Sequence, residues 1–214
     1  MVPLARMLER SLLRPELTDD DVIAACRQAR QYDLACVTVR PCDIELAVRE
    51  LDGSTVRVGS AAAFPHGFST TAVKVYEARD ALRRGAREIE TVLNTARQRS
   101  RQFQYIESEL VQMADACHKE GALLKVIFEN AWLSDELQIV ACRICARAGV
   151  DFAGGAAPAD LRLMRAHLPG NVGLKLADAS TPEQIQEALA AGCTRIGTTV
   201  AAALLQASAP AADK

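Results

Sequence analysis

Short apolar runs alternate with longer amphipathic stretches along almost the whole chain. Leu34–Val39, Val56–Ser60, Glu88–Leu93, Leu123–Glu129, Asp151–Ala153, Val172–Leu176 and Thr194–Gly197 read as strands. Between them lie stretches with apolar residues three and four apart, the spacing of one helix face. Thr18 is placed to cap the first, with Asp19, Asp20 and Asp21 in its first turn and Val22, Ile23, Cys26 and Ala29 as its stripe. Helices follow at Ile44–Leu51, Thr71–Arg84 (Val73, Val75, Ala78 and Leu82 apolar), Phe103–Glu120, Asp135–Ala148 capped by Ser134, Ala159–His167, and from Thr181-Pro182 to Ala190. Gly85, Gly121, Gly149 and Gly192 each fall between a helix and a strand, where a left-handed residue closes the helix. With the opening segment Leu4–Leu13 counted, eight strands alternate with helices.

That pattern predicts an α/β protein, a closed (β/α)8 TIM barrel spanning 1–200, followed by a tail over 201–214 that starts as a short helix and frays. A doubly wound open sheet is the alternative, but Thr38-Val39-Arg40-Pro41 after the first clear strand would make a poor phosphate cradle. The 214 residues suit one domain slightly below the usual barrel size.

Composition narrows the function classes. A formal net charge of −2 supplies no field for nucleic acid or anionic membrane, and no apolar run approaches a membrane span. A cytoplasmic location, with no nucleic-acid and no membrane partner, is the expectation. Seven cysteines, an odd number scattered through helices and strands, read as reduced and mostly buried thiols. Cys142 and Cys145 share a helix without a second ligand pair, so a helix-face role is expected for both. No metal and no cofactor is expected. Trp132 is expected to pack at the base of its helix, with a place over the pocket rim as the alternative.

Several stretches resemble the deoxyribose-phosphate aldolase family. Leu8-Glu9-Arg10-Ser11-Leu12-Leu13-Arg14-Pro15 is similar to its opening I-D-H-T-L-L-K-P. Phe64-Pro65-His66-Gly67, Thr70-Thr71-Ala72-Val73-Lys74-Val75-Tyr76-Glu77-Ala78 and Leu124-Lys125-Val126-Ile127-Phe128-Glu129 resemble F-P-x-G, T-T-x-V-K-x-x-E-A and L-K-V-I-x-E. Ala191-Gly192-Cys193-Thr194-Arg195-Ile196-Gly197-Thr198 resembles A-G-A-x-R-I-G-T. The resemblance implies a barrel, a small-molecule carbonyl substrate, Schiff-base chemistry and a homodimer.

The resemblance also exposes a departure. The family's imine-forming lysine lies in D-F-V-K-T-S-T-G, and Gly154, followed by Gly155, stands at that place. Its second lysine corresponds to Lys175, its strand aspartate to Glu90 and its opening aspartate to Glu9. After Lys175 the glycine pair expected to hold phosphate is missing, and Asp178 adds a carboxylate that would repel it.

Candidate catalytic residues are therefore Lys175, Glu90 and Lys125. Candidate substrate contacts are Asp178, Asn94, Glu9, Arg40, His66, Glu129, Gly154, Gly155 and Thr198. Burial and nearby Lys125 are expected to lower the Lys175 amine toward nucleophilic behaviour, while an ion pair with Glu90 would make it structural. Arg40 could hold a carboxylate or pair with Asp43 or Glu45. Three functions fit: lyase, dehydration or cyclisation chemistry on an unphosphorylated carbonyl compound, an aldolase whose imine has moved to Lys175, or a catalytically inactive binding relative.

Overall fold

The computed structural model describes residues 2–208. Eight parallel strands close on themselves in chain order. They are β1 (Leu8–Leu12), β2 (Cys36–Val39), β3 (Arg57–Ala62), β4 (Glu88–Val92), β5 (Leu123–Ile127), β6 (Phe152–Gly155), β7 (Gly173–Leu176) and β8 (Arg195–Thr198). The ring is sealed where β1 meets β8, with Glu9 opposite Gly197. The connecting helices are α1 (Asp19–Tyr32), α2 (Ile44–Glu50), α3 (Thr71–Arg83), α4 (Thr95–Arg99), α5 (Phe103–Lys119), α6 (Asp135–Arg147), α7 (Pro158–His167) and α8 (Pro182–Ala190). The chain is a (β/α)8 barrel. No helix among the described residues is long and apolar enough to cross a membrane.

The helix starts follow their sequence signals. Thr18 Oγ1 accepts from the Asp21 N–H while the Asp21 carboxylate accepts from the Thr18 N–H, a reciprocal cap. Thr181 and Gln184 do the same at α8, with Pro182 at a position whose missing N–H would have no helical partner. The four predicted helix-ending glycines all have positive φ. A helix α9 (Ala201–Ser208) follows β8 and packs beside α8 and β1, adding buried Ala201 and Leu204 to the core; residues 209–214 of the expected frayed tail lie outside the described residues.

Three local expectations are corrected. α4 was not predicted; it is one short turn begun by Asn94, too brief to show a period. On α3, Val75, Ala78 and Leu82 are buried as the apolar pattern predicts, but Val73 is exposed and Lys74 is fully buried, so the inward face is made by Lys74, Val75, Ala78, Ala81 and Leu82. Lys74 Nζ donates to Glu109 Oε1 on α5 at 2.7 Å and to the Val92 carbonyl at 3.0 Å, so its charge is met within the helix layer. Trp132 does not pack under its helix; it stands 63 % exposed in the loop after β5.

The core has two shells. Outward-facing strand residues such as Ile89, Val126 and Leu174 meet the helices in one apolar layer. Inside the barrel the alternate residues include Glu9, Glu88, Glu90, Lys125, Lys175 and Arg195, and these form the site.

Candidate active site at the barrel mouth

Successive strand side chains face opposite sides, so Glu88 and Glu90 on β4 share the interior. Parallel pairing brings Glu90 opposite Lys125, Ile127 opposite Gly154, and Gly154 opposite Lys175. Glu9 from β1 and Arg195 from β8 enter the same space. The result is a buried network of Glu9, Glu88 and Glu90 with Lys125, Lys175 and Arg195, three charges of each sign.

Glu9 is its hub. One oxygen accepts from Lys125 at 3.0 Å and Arg195 at 2.6 Å; the other accepts from Lys125 at 2.9 Å and Lys175 at 2.6 Å. Lys125 also lies 3.0 Å from Glu88, and Lys175 pairs with Glu90. Burial opposes ionisation of Glu9, yet Lys125, Lys175 and Arg195 outweigh it and hold this carboxyl below the usual range. Glu88 is likewise lowered: burial works against the charge, and Lys125 and Arg195 overcome it.

Burial alone would lower the Lys125 amine, but Glu9 and Glu88 raise it well above the ordinary lysine value, which keeps it a cation among the carboxylates. Lys175 Nζ, likewise, spends two of its hydrogen bonds on Glu9 and Glu90. Arg195 stacks 4.9 Å over the Phe152 ring. A Cβ at Gly173 would stand 2.4 Å from that ring, so glycine there makes the room.

Above the network opens a cavity of about 510 Å³, lined by Ser11, Phe64, Glu90, Ile127, Glu129 and Asp178 among others. This is the C-terminal mouth of the barrel, the face on which such folds carry their chemistry. Glu90 is the network carboxylate that reaches it, with 13 % of its side chain exposed against 2 % for Glu9 and none for Glu88. Burial pushes Asp178 up, partly offset by the Thr199 N–H and by Lys175.

The remaining predicted residues divide. Gly154 faces the barrel interior: a Cβ there would meet Ile127 Cδ1 at 2.7 Å, the Lys175 carbonyl oxygen at 3.2 Å and Lys175 Cβ at 3.4 Å. Gly155 faces away, toward Met164, Asn130 and Asp160. Asn94 is buried as the cap of α4, its Oδ1 accepting from the Arg97 N–H at 3.2 Å. The Arg40 fork is occupied by Asp43 at 2.6 Å and by the Pro15 carbonyl at 3.1 Å, tying the β1 and β2 loops together. Thr198 is buried and accepts from the Val200 N–H at 3.0 Å. His66 lines a second, adjoining cavity, and Glu129 borders both.

Glu88 and Arg195 were missed as site residues. The alternation Glu88-Ile89-Glu90 was the available signal for the first. For Arg195, only barrel closure shows which carboxylates it meets. All seven cysteines are free, with Cys42 exposed and the others buried; burial pushes the Cys142 thiol up to about 12.

Comparison with known proteins agrees with this architecture. No protein-family model matches the chain. A deoxyribose-phosphate aldolase of Clostridium perfringens is 34 % identical over 212 residues, covering 95 % of this chain and 94 % of the relative. One of Bacteroides thetaiotaomicron is 37 % identical over 215 residues, covering 95 % and 90 %. The solved structure of the tetrameric deoxyribose phosphate aldolase from Aeropyrum pernix superposes with a TM-score of 0.85 at 25 % identity, over 95 % of this chain and 90 % of that one. The chain belongs to the deoxyribose-phosphate aldolase family.

Proposed function

We propose that this chain is a divergent member of its family that acts on an unphosphorylated carbonyl compound without forming an imine. Glu90 is its acid–base group and Lys175 the positioned cation beside it. The observation that carries this reading is the pairing at the mouth: a side-chain-free Gly154 where the resemblance implies an imine-forming lysine, directly opposite a Lys175 already bonded to two carboxylates. An amine held as donor by both Glu9 and Glu90 would have to leave those contacts before it could attack a carbonyl. An ammonium has three N–H groups, so Lys175 keeps one for a substrate oxygen.

In such a site Glu90 takes a proton from the substrate hydroxyl or from the carbon next to the carbonyl. The electron pair passes to the carbonyl oxygen, and the free N–H of Lys175 stabilises the enolate. Carbon–carbon cleavage, dehydration and cyclisation share this step.

Two features support an unphosphorylated substrate. Glu90, Glu129 and Asp178 line the mouth, against one cation, Arg14, which is already paired with Glu16. The backbone amides that a phosphate would use around the last two strands are also taken. Gln184 Oε1 accepts from the Ser180 and Thr181 N–H groups, Thr181 Oγ1 from Gln184, and Thr198 Oγ1 from Val200.

The test is intact-protein mass after borohydride with panels of phosphorylated and unphosphorylated aldehydes and ketones, together with turnover or deuterium exchange followed by NMR. Wild type is expected to give no reduced adduct, to act on an unphosphorylated carbonyl, and to lose about 10²- to 10⁴-fold in rate on Glu90→Gln. An adduct mapped to Lys175 would replace this reading with a relocated imine. No exchange or turnover across the panel would leave a binding protein.

A further inference from the structure

Beside the main mouth, the loops after β3, β4 and β5 enclose a second cavity of about 370 Å³. It is lined by His66, Phe68, Thr95, Ala96, Glu129 and Trp132. Phe68 is 72 % exposed and Trp132 63 %, large apolar rings left in water at the edge of a catalytic face. The His66 ring lies flat on Phe68, with centroids 5.5 Å apart and planes inclined by 12°. Phe64, also exposed, lines the main cavity, so the aromatic surface continues from one to the other.

Glu129 joins the two spaces. It lines both, is half-buried, and no side chain or backbone group among the described residues donates to its carboxylate. A partly desolvated carboxylate among exposed ring faces suits one kind of ligand group. A cation gains from the carboxylate by charge and from the rings by their quadrupoles. A neutral apolar group would leave Glu129 unpaired, and an anion would be repelled by Glu129, Asp178 and Glu90 together.

We infer that this shelf is a subsite for a protonated amine and that the substrate class is an amino-carbonyl compound. Its carbonyl end lies over Glu90 and Lys175, and its ammonium end at Glu129 between Trp132 and the Phe68–His66 stack. The placement of the reacting end rests on the proposed function above; the ammonium site does not.

Trp132 is the only tryptophan, so its emission reports this subsite directly. The experiment titrates the intact protein with 2-phenylethylammonium and with its neutral analogue 2-phenylethanol at pH 8. That pH is above the ordinary range of an imidazole and below that of an alkylammonium. Saturable change at Trp132 is expected with the ammonium, with the alcohol binding at least about tenfold more weakly, a difference of about 1.4 kcal/mol. Glu129→Gln, with folding checked by circular dichroism, is expected to bring the ammonium down to the affinity of the alcohol. Equal affinities for the two probes, an unchanged affinity in Glu129→Gln, or no saturable response would each overturn the inference. Binding is read without turnover. A protein that binds the ammonium but is inert toward carbonyls would fail the proposed function alone; one that turns over carbonyls but ignores the ammonium would fail this inference alone.

Discussion

Replacing Glu9 by glutamine tests whether the barrel interior is organised as an ionic network around one carboxylate. The side chain keeps its volume and one acceptor oxygen but loses its charge. Three cations, Lys125, Lys175 and Arg195, would then face only Glu88 and Glu90. Removing one partner of a buried ion pair costs about 3–5 kcal/mol, because the partner left behind has no water to replace it. Glu9 serves three partners, all within 3.0 Å, which places the expected cost toward the upper end. At about 2–4 °C of melting temperature per kcal/mol for a chain of this size, Glu9→Gln should lower Tm by roughly 8–20 °C. Calorimetry with parallel urea unfolding measures it. The sign with pH follows from the lowered Glu9 carboxyl. Its stabilisation is complete above the unfolded value near 4.5 and is lost as pH falls below that toward the folded value. The gap between wild type and variant should therefore be widest near neutrality and close below about pH 4.5. A loss under about 1 kcal/mol at pH 7, or a gap that widens in acid, would refute the network as described.

Two further outcomes follow from the packing. Gly154→Lys combined with Ile127→Val, which clears the methyl lying 2.7 Å from the new Cβ, should place an amine in the mouth. It should yield a borohydride-trapped adduct with a small aldehyde at a stability cost of about 1–3 kcal/mol; a folded variant with no adduct would show that position 154 does not face the substrate space. Lys74→Met should destabilise by about 3–5 kcal/mol by stranding Glu109, and adding Glu109→Met should recover much of that in urea unfolding. A double variant as unstable as the sum of the single ones would mean that the two charges do not depend on each other.

What the linear chain determined is mostly local. Alternating periods and glycine-ended helices specify a (β/α)8 barrel, because each element must bury one face and parallel strands need helical returns. The cap at Thr18 and the helix start at Thr181-Pro182 were legible because their signals lie within one turn; that both caps are reciprocal came from the structure. Equally legible was the lack of a side chain at Gly154. The resemblance, rather than strand parity, put Glu90 and Lys175 forward as members of one site.

Tertiary structure decided which charges meet. Glu9 lies 166 residues from Lys175 and 186 from Arg195, and only closure of β1 onto β8 brings them within hydrogen-bond distance. That closure also surrounds Lys125 with Glu9 and Glu88, which raise its amine against the effect of burial. It also left Glu90 as the carboxylate of the network that reaches the mouth. The inward face of α3 depended on how it rests on α5, which is why Lys74 was buried in place of Val73. Trp132 and Phe68 come from loops whose own sequence has no periodicity to read, and Glu129 lies just past the end of β5. Their meeting at one cavity follows from the circular order of β3, β4 and β5. Periodicity shows which side of an element faces inward; only the closed ring, with its stagger and register, determines what waits there.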